Sequence, residues 1–206
     1  MLEKLIVFVE EYSMEAALER ILPKLLGDVE FDIFRFQCKD DLLKHLPNRL
    51  KGYSFWLPAS WVILVLVDLD NDQCRDLKMQ MDKMADSAGL LTKTAAGDGH
   101  RFQVVNRIAI EELEAWFFGD WQAVQIAYPR VSPNVTRNAA YRDPDAIAGG
   151  TWEAMERVLK RAGYFSSGLR KIEFAREVAQ YLEPERNTSR SFQAFFSAVS
   201  AAKAWV

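Results

Sequence analysis

The chain has 206 residues and a net charge of −3, and half of its residues are apolar, which suits one domain or one domain plus an appendage. It has no apolar run of 18 residues or more, and Met1-Leu2-Glu3-Lys4 has no signal-peptide layout, so neither a membrane span nor a secretory leader is expected. Cys38 and Cys74 are the only cysteines and His45 and His100 the only histidines, which argues against a disulfide framework or a Cys/His zinc site and favours a reduced, cytoplasmic setting.

Leu5-Ile6-Val7-Phe8-Val9 predicts a first strand that ends in Glu10-Glu11. Ser13 is the expected N-cap of a helix whose buried face is Met14, Leu18, Ile21, Leu22 and Leu25, with Gly27 as C-cap. Residues 29–37 predict a second strand and residues 39–50 a short helix in which Pro47 is an interruption. Trp61-Val62-Ile63-Leu64-Val65-Leu66-Val67 is apolar at every position, the pattern of a strand buried on both faces in a parallel sheet. A helix near 73–88 follows, with Leu77, Met81, Met84 and Ala88 at helical spacing. Phe102 to Ile110 predicts another strand, and Glu111 to Phe118 turns helical. The alternation implies a three-layer α/β, Rossmann-like fold on a mostly parallel sheet over residues 1–128. From 129 to 206 the pattern changes. Pro129, Pro133, Pro144 and Gly149-Gly150 punctuate it, and helices are expected near 151–162, 170–182 and 189–203, the last capped by Ser189 or Ser191. This part is read as a helical appendage packed on the same core.

Acids collect where the predicted strands end. Asp68, Asp70 and Asp72 follow the buried strand directly, and Glu10 follows the first one. Ligands bind at the carboxyl ends of strands in open α/β sheets. If the chain stays extended, Asp68 and Asp70 point the same way and share one site, which carboxylates tolerate when a cation joins them. An oxygen-only ligand set suits Mg²⁺ or Mn²⁺. Glu10, Asp68 and one of Glu111, Glu112 and Glu114 are expected to meet across adjacent strands, with Glu15 nearby. Each has an ordinary alternative: Glu10 or Glu11 as a solvated strand-end acid, Glu15, Glu111, Glu112 and Glu114 as first-turn helix acids, and the three aspartates as turn and cap residues. Asp68-x-Asp70-x-Asp72 is not a calcium loop, since Gln73 and Met79 stand where Gly and Glu belong. Neither a P-loop nor a Gly-x-Ser-x-Gly elbow is present.

Val7-Phe8-Val9-Glu10 and Val65-Leu66-Val67-Asp68-Leu69-Asp70 resemble the two motifs of Toprim domains, which carry a Glu after the first strand and Asp-x-Asp after a later one. Those domains usually have Glu-Gly where this chain has Glu10-Glu11. Val9 to Glu15, Asp68 to Cys74, Glu112 to Asp120, Lys171 and Ser189-Arg190-Ser191-Phe192 together resemble the Toprim-like domain-of-unknown-function family 4276, related to the overcoming-lysogenization-defect nucleases. The resemblance implies Glu10 as general acid/base or metal ligand and Asp68 and Asp70 as ligands. Glu15 and Glu114 would complete a first or second metal position, and Asp72, Glu111 and Glu112 are further candidates. It also implies a Mg²⁺- or Mn²⁺-dependent nuclease on DNA or RNA, with a separately encoded ATPase partner, in an anti-phage system. A homo-oligomer stays open.

Residues 1–130 carry 21 acidic and 15 basic side chains, and the remainder 8 and 11. That asymmetry fits a phosphate-binding face beside a metal as well as it fits ordinary solvated helices. Lys171, Arg190, Arg142 and His100 are the candidate phosphate contacts. Trp116, Phe117 and Phe118 either stack on a base or pack in a core. The rival functions are a DxD-type metal-nucleotide-sugar transferase and a non-catalytic metal- or partner-binding module.

Overall fold

The computed structural model describes residues 1–204. It is an α/β protein that divides into two compact units. The first comprises Met1–Glu11, Leu22–Ile108 and the chain from Phe195 onward, and the second Tyr12–Ile21 and Ala109–Ala194.

The first unit is built on a 4-stranded parallel sheet in the order β2-β1-β3-β4, formed by β1 (Lys4–Val9), β2 (Glu30–Arg35), β3 (Trp61–Asp68) and β4 (Val104–Ala109). β1 is paired in parallel on both edges, with Val9 opposite Arg35 of β2 and Leu66 of β3. Its residues Leu5 to Val9 and β3's Val62 to Val67 are buried, as continuous apolar runs in a parallel sheet must be. The edge strand β2 instead alternates exposed and half-buried residues. Right-handed crossovers fix which face each helix takes. The β1-to-β2 connection, which carries α1 (Tyr12–Leu26), runs along the sheet in the direction opposite to the later ones. α2 (Lys39–Ser54) and α3 (Cys74–Ser87) follow crossovers of one direction and so share a face, where they pack on each other. The last helix, α9 (Arg190–Lys203), returns its final turns to this unit, where Lys203 Nζ donates to Leu25 O at 3.1 Å. The layering is three-layer and Rossmann-like, as the alternation predicted.

Local details depart from the expectations. α1 begins at Tyr12 from an extended Glu11 (φ −144°), so Ser13 is a buried first-turn residue and not the cap. Gly27 does cap the helix, at φ 64°, with its N–H on Pro23 O. α2 runs through Pro47 to Ser54, because Leu42, Leu46 and Leu50 form a buried stripe spanning the proline. On α3 the buried stripe is Leu77, Met81 and Ala85, with Met84 beside it. A short helix, α4 (Lys93–Ala96), precedes β4.

The second unit is helical and packs around α5 (Glu114–Gly119), all of whose residues are buried. Trp116 meets Phe192 edge-on, Phe117 meets Phe174, and Phe118 stacks on Trp121 and Tyr141. These three aromatics are core and present no face to a base. Gly119 is needed for close approach, since a Cβ there would lie 2.2 Å from Asn187 Oδ1 and 2.8 Å from Ser189 N. α6 (Trp121–Ala127), α7 (Thr151–Arg161) and α8 (Lys171–Ala179) complete the unit, and Ser189 caps α9 by accepting from Phe192 N at 3.1 Å.

Phe8, the penultimate residue of β1, has no solvent exposure and sits against Phe34, Phe36 and Tyr53. Phe8→Ala is expected to destabilise the protein by about 3–5 kcal/mol in urea denaturation. A loss below about 1 kcal/mol would show that this layer of the sheet is not closely packed.

Candidate functional site

β1 and β3 are neighbours whose following connections run in opposite directions along the sheet, β1 to β2 one way and β3 to β4 the other. The gap between their carboxyl ends is therefore a topological switch point, the place where open α/β sheets bind ligands. Glu10 leaves β1 there and Asp68 closes β3 there. Both are nearly buried, with Glu10 at 5% and Asp68 at 6% exposure. The Asp68 backbone N–H donates to Glu10 Oε1, locking the glutamate across the strand pair.

Beyond Asp68 the chain does not stay extended. Asp70 has φ 50°, a left-handed conformation that Asp tolerates better than most residues, and Asp72 N bonds Leu69 O at 3.1 Å to close a turn. Asp70 therefore does not share a strand face with Asp68, contrary to the alternation expected from the sequence. What gathers the turn is Lys39, the first residue of α2. Its ammonium donates to Asp68 O at 3.1 Å, Leu69 O at 3.0 Å and Asp70 Oδ2 at 2.8 Å, and pairs with Asp72 Oδ2 at 2.7 Å. The sequence reading missed Lys39. One signal was available: a lysine opening a helix opposes the macrodipole and calls for acidic partners. Burial lowers the Lys39 pKa, but the hydrogen bonds to Asp70 and Asp72 outweigh it and the net shift is upward.

The remaining candidates sit as follows. Glu15 is half-buried in the first turn of α1, where it complements the helix dipole. Glu111 occupies a left-handed turn (φ 61°), so helix α5 starts three residues later than expected, with the buried Glu114 as its first residue. Glu112 caps α7, accepting from Thr151 Oγ1 at 3.0 Å and Trp152 N at 2.9 Å, and Lys171 Nζ lies 4.0 Å from its other oxygen. Arg190 pairs with Asp143, and Arg142 reaches Arg137 O at 3.5 Å. His100 lies in an exposed loop with Nδ1 3.0 Å from Asp98 O. Among the described residues no three Asp, Glu, His or Cys side chains stand close enough to hold a metal together, so the expected three-carboxylate cage is not formed. Mg²⁺ does not need one. It usually takes one or two carboxylates and completes its shell with water and substrate phosphate. Asp68 and Asp70, two carboxylates at the switch-point edge with Glu10 nearby, are oxygen donors of the type Mg²⁺ takes.

Glu10 is the group whose protonation the site alters. Burial pushes its pKa up from 4.5 to about 7, the hydrogen bond from Asp68 N opposes the rise, and the nearby Asp70 charge adds to it. In the unfolded chain the carboxyl titrates near its ordinary value, so between these two pH values the native state holds a proton that the unfolded state releases. The stabilisation is full below about pH 4.5 and is lost as pH rises through about 7, on the order of 3 kcal/mol in total. Glu10→Gln keeps an acceptor for Asp68 N and removes the titration. Its urea-denaturation stability is expected to change between about pH 4 and about pH 8 by up to about 3 kcal/mol less than wild type. The same pH dependence in both proteins would show that Glu10 is not the titrating group.

No curated protein and no solved structure matches the chain. A family model does match, over residues 9–200, a span that includes Glu10, Lys39, the Asp68–Asp72 turn and the whole of the helical unit. The chain belongs to the family described as Domain of unknown function (DUF4276).

Proposed function

We propose that this protein is a Toprim-type, divalent-metal-dependent phosphodiester hydrolase acting on nucleic acid. The observation that carries the reading is Glu10, a buried carboxyl with its pKa raised to about 7, locked beside Asp68 at the switch point of a parallel sheet. A general acid or base works best when its pKa lies near the working pH. The edge bearing Glu10, Asp68, Asp70 and Asp72 is rich in carboxylates and repels a phosphodiester until a cation joins the two. Asp68 and Asp70 would hold that cation, Mg²⁺ or Mn²⁺, which when bound supplies charge stabilisation at the phosphoryl oxygens. Glu10 holds and passes the proton. Its Oε1 stays fixed by Asp68 N, which leaves the second carboxyl oxygen for proton exchange. The Lys39-bound turn keeps Asp70 in place, so that ordering the site costs little at the moment of reaction.

The resemblance to the Toprim nucleases supports this reading through the order of the two motifs, Glu10 and then Asp68-x-Asp70. Because the chain has no P-loop, the ATPase that accompanies such domains would be a separate protein, as in an anti-phage pair.

The test is cleavage of single- and double-stranded DNA and RNA with Mg²⁺ or Mn²⁺. Wild type is expected to cleave at least one of these, with loss on chelation. Asp68→Asn is expected to abolish the activity and Glu10→Gln to lower the rate by about 10²–10⁴-fold with an unchanged circular-dichroism spectrum. Full activity in both variants would overturn the assignment.

A further inference from the structure

Four oxygens surround the Lys39 ammonium at 2.7–3.1 Å: the carbonyls of Asp68 and Leu69 and one carboxylate oxygen each of Asp70 and Asp72. Two ionised carboxylates and two carbonyls around one point form the donor set that hard cations take from proteins. Here the point is already filled. The lysine side chain is only 12% exposed, so the ammonium is set into the turn and not laid across it. Lys39 is anchored from outside the turn as the first residue of α2, which follows β2 and so opens at the same end of the sheet as Asp68. Opening a helix with a lysine works against the macrodipole, so the acceptors of the turn are what hold it there.

We propose that Lys39 is a built-in cation. Its ammonium occupies a four-oxygen cage in the Asp68–Asp72 turn that would otherwise take a metal ion, so the protein binds one divalent cation and not two. This rests on the proposed metal site only for that one ion. It makes Asp72 a partner of Lys39 and not a ligand of exchangeable metal, and it makes Lys39 a positioning residue for Asp70. A permanent charge at the cage also keeps the left-handed Asp70 in place before any metal arrives.

The experiment is Mn²⁺ binding to the full chain, counted by electron paramagnetic resonance of free Mn²⁺ and by calorimetry. Wild type is expected to bind one ion, Lys39→Ala two, and Lys39→Arg one. The extra ion in Lys39→Ala is expected to disappear in Lys39→Ala/Asp72→Asn. If wild type binds none and Lys39→Ala binds one, the cage assignment stands and the proposed metal site falls. If wild type and Lys39→Ala bind the same number, or wild type binds two, the cage assignment falls. Where Lys39→Ala lowers the Tm, Mn²⁺ at millimolar concentration is expected to restore it, with no such gain in Lys39→Arg. An unrestored Tm would overturn the proposal.

Discussion

β1 is hydrogen-bonded in parallel to β2 on one edge and β3 on the other, and from Leu5 to Val9 it has no solvent on either face. A strand held in this way cannot slip. A shift of one residue would send every side chain to the opposite face and break both ladders. The register therefore dictates what happens just past Val9. Glu10 emerges against the last residue of β3, and the Asp68 amide is presented to its carboxylate. The connections after β1 and β3 run in opposite directions along the sheet, so this edge is a switch point, and Glu10 and Asp68 are both buried there. The sheet builds the position of the acidic edge, and the acids themselves contribute little to holding it.

The edge carries more negative charge than such a small space accepts without compensation, and the protein answers in two different ways. At Glu10, burial and the neighbouring Asp70 charge raise the pKa toward neutrality, so the carboxyl sheds charge by keeping a proton. At Asp70 and Asp72 the carboxylates are met by Lys39, whose pKa moves upward in return. The difference follows from reach. Glu10 is fixed by a backbone amide that stabilises its ionised form only in part, whereas the turn after Asp68 can bend around an ammonium brought by the neighbouring α2. The left-handed φ of Asp70 is the conformational cost of that bend, of order 1 kcal/mol or slightly more.

The sheet could be read from the sequence because buried parallel strands write themselves as unbroken apolar runs. Leu5 to Val9 and Val62 to Val67 left no other reading, and with them came the placement of Glu10 and Asp68 at one edge. What followed each strand was less readable. Alternation assumes an extended chain, and nothing in Asp68-Leu69-Asp70-Asn71-Asp72 announces that Asp70 turns left-handed. That turn is closed by a lysine 31 residues earlier in the chain than Asp70. Pro47 misled for the opposite reason. Local propensity says interruption, but the tertiary packing of Leu42, Leu46 and Leu50 carries the helix past it.

The stretch from Glu112 to Asp120 shows how a run of residues can be tightly specified for architecture alone. Glu112 satisfies the opening amide and hydroxyl of α7, Trp116 to Phe118 fill the core, and Gly119 admits the 187–189 loop. Asp120, wholly buried, takes a bidentate pair from Arg186 and also accepts from Glu183 N. Removing Arg186 would leave the Asp120 carboxylate buried without its charge partner, at a cost of about 3–5 kcal/mol. One carboxylate oxygen of Glu112 is committed to Trp152 N and Thr151 Oγ1, and swinging the side chain away would lose this helix cap at a cost of about 0.5–2 kcal/mol. Capping α7 from a distant part of the chain is a structural role that accounts for Glu112 without chemistry. Glu10 is different: its burial costs the fold stability above neutral pH, and the proposed proton transfer is what that penalty would serve.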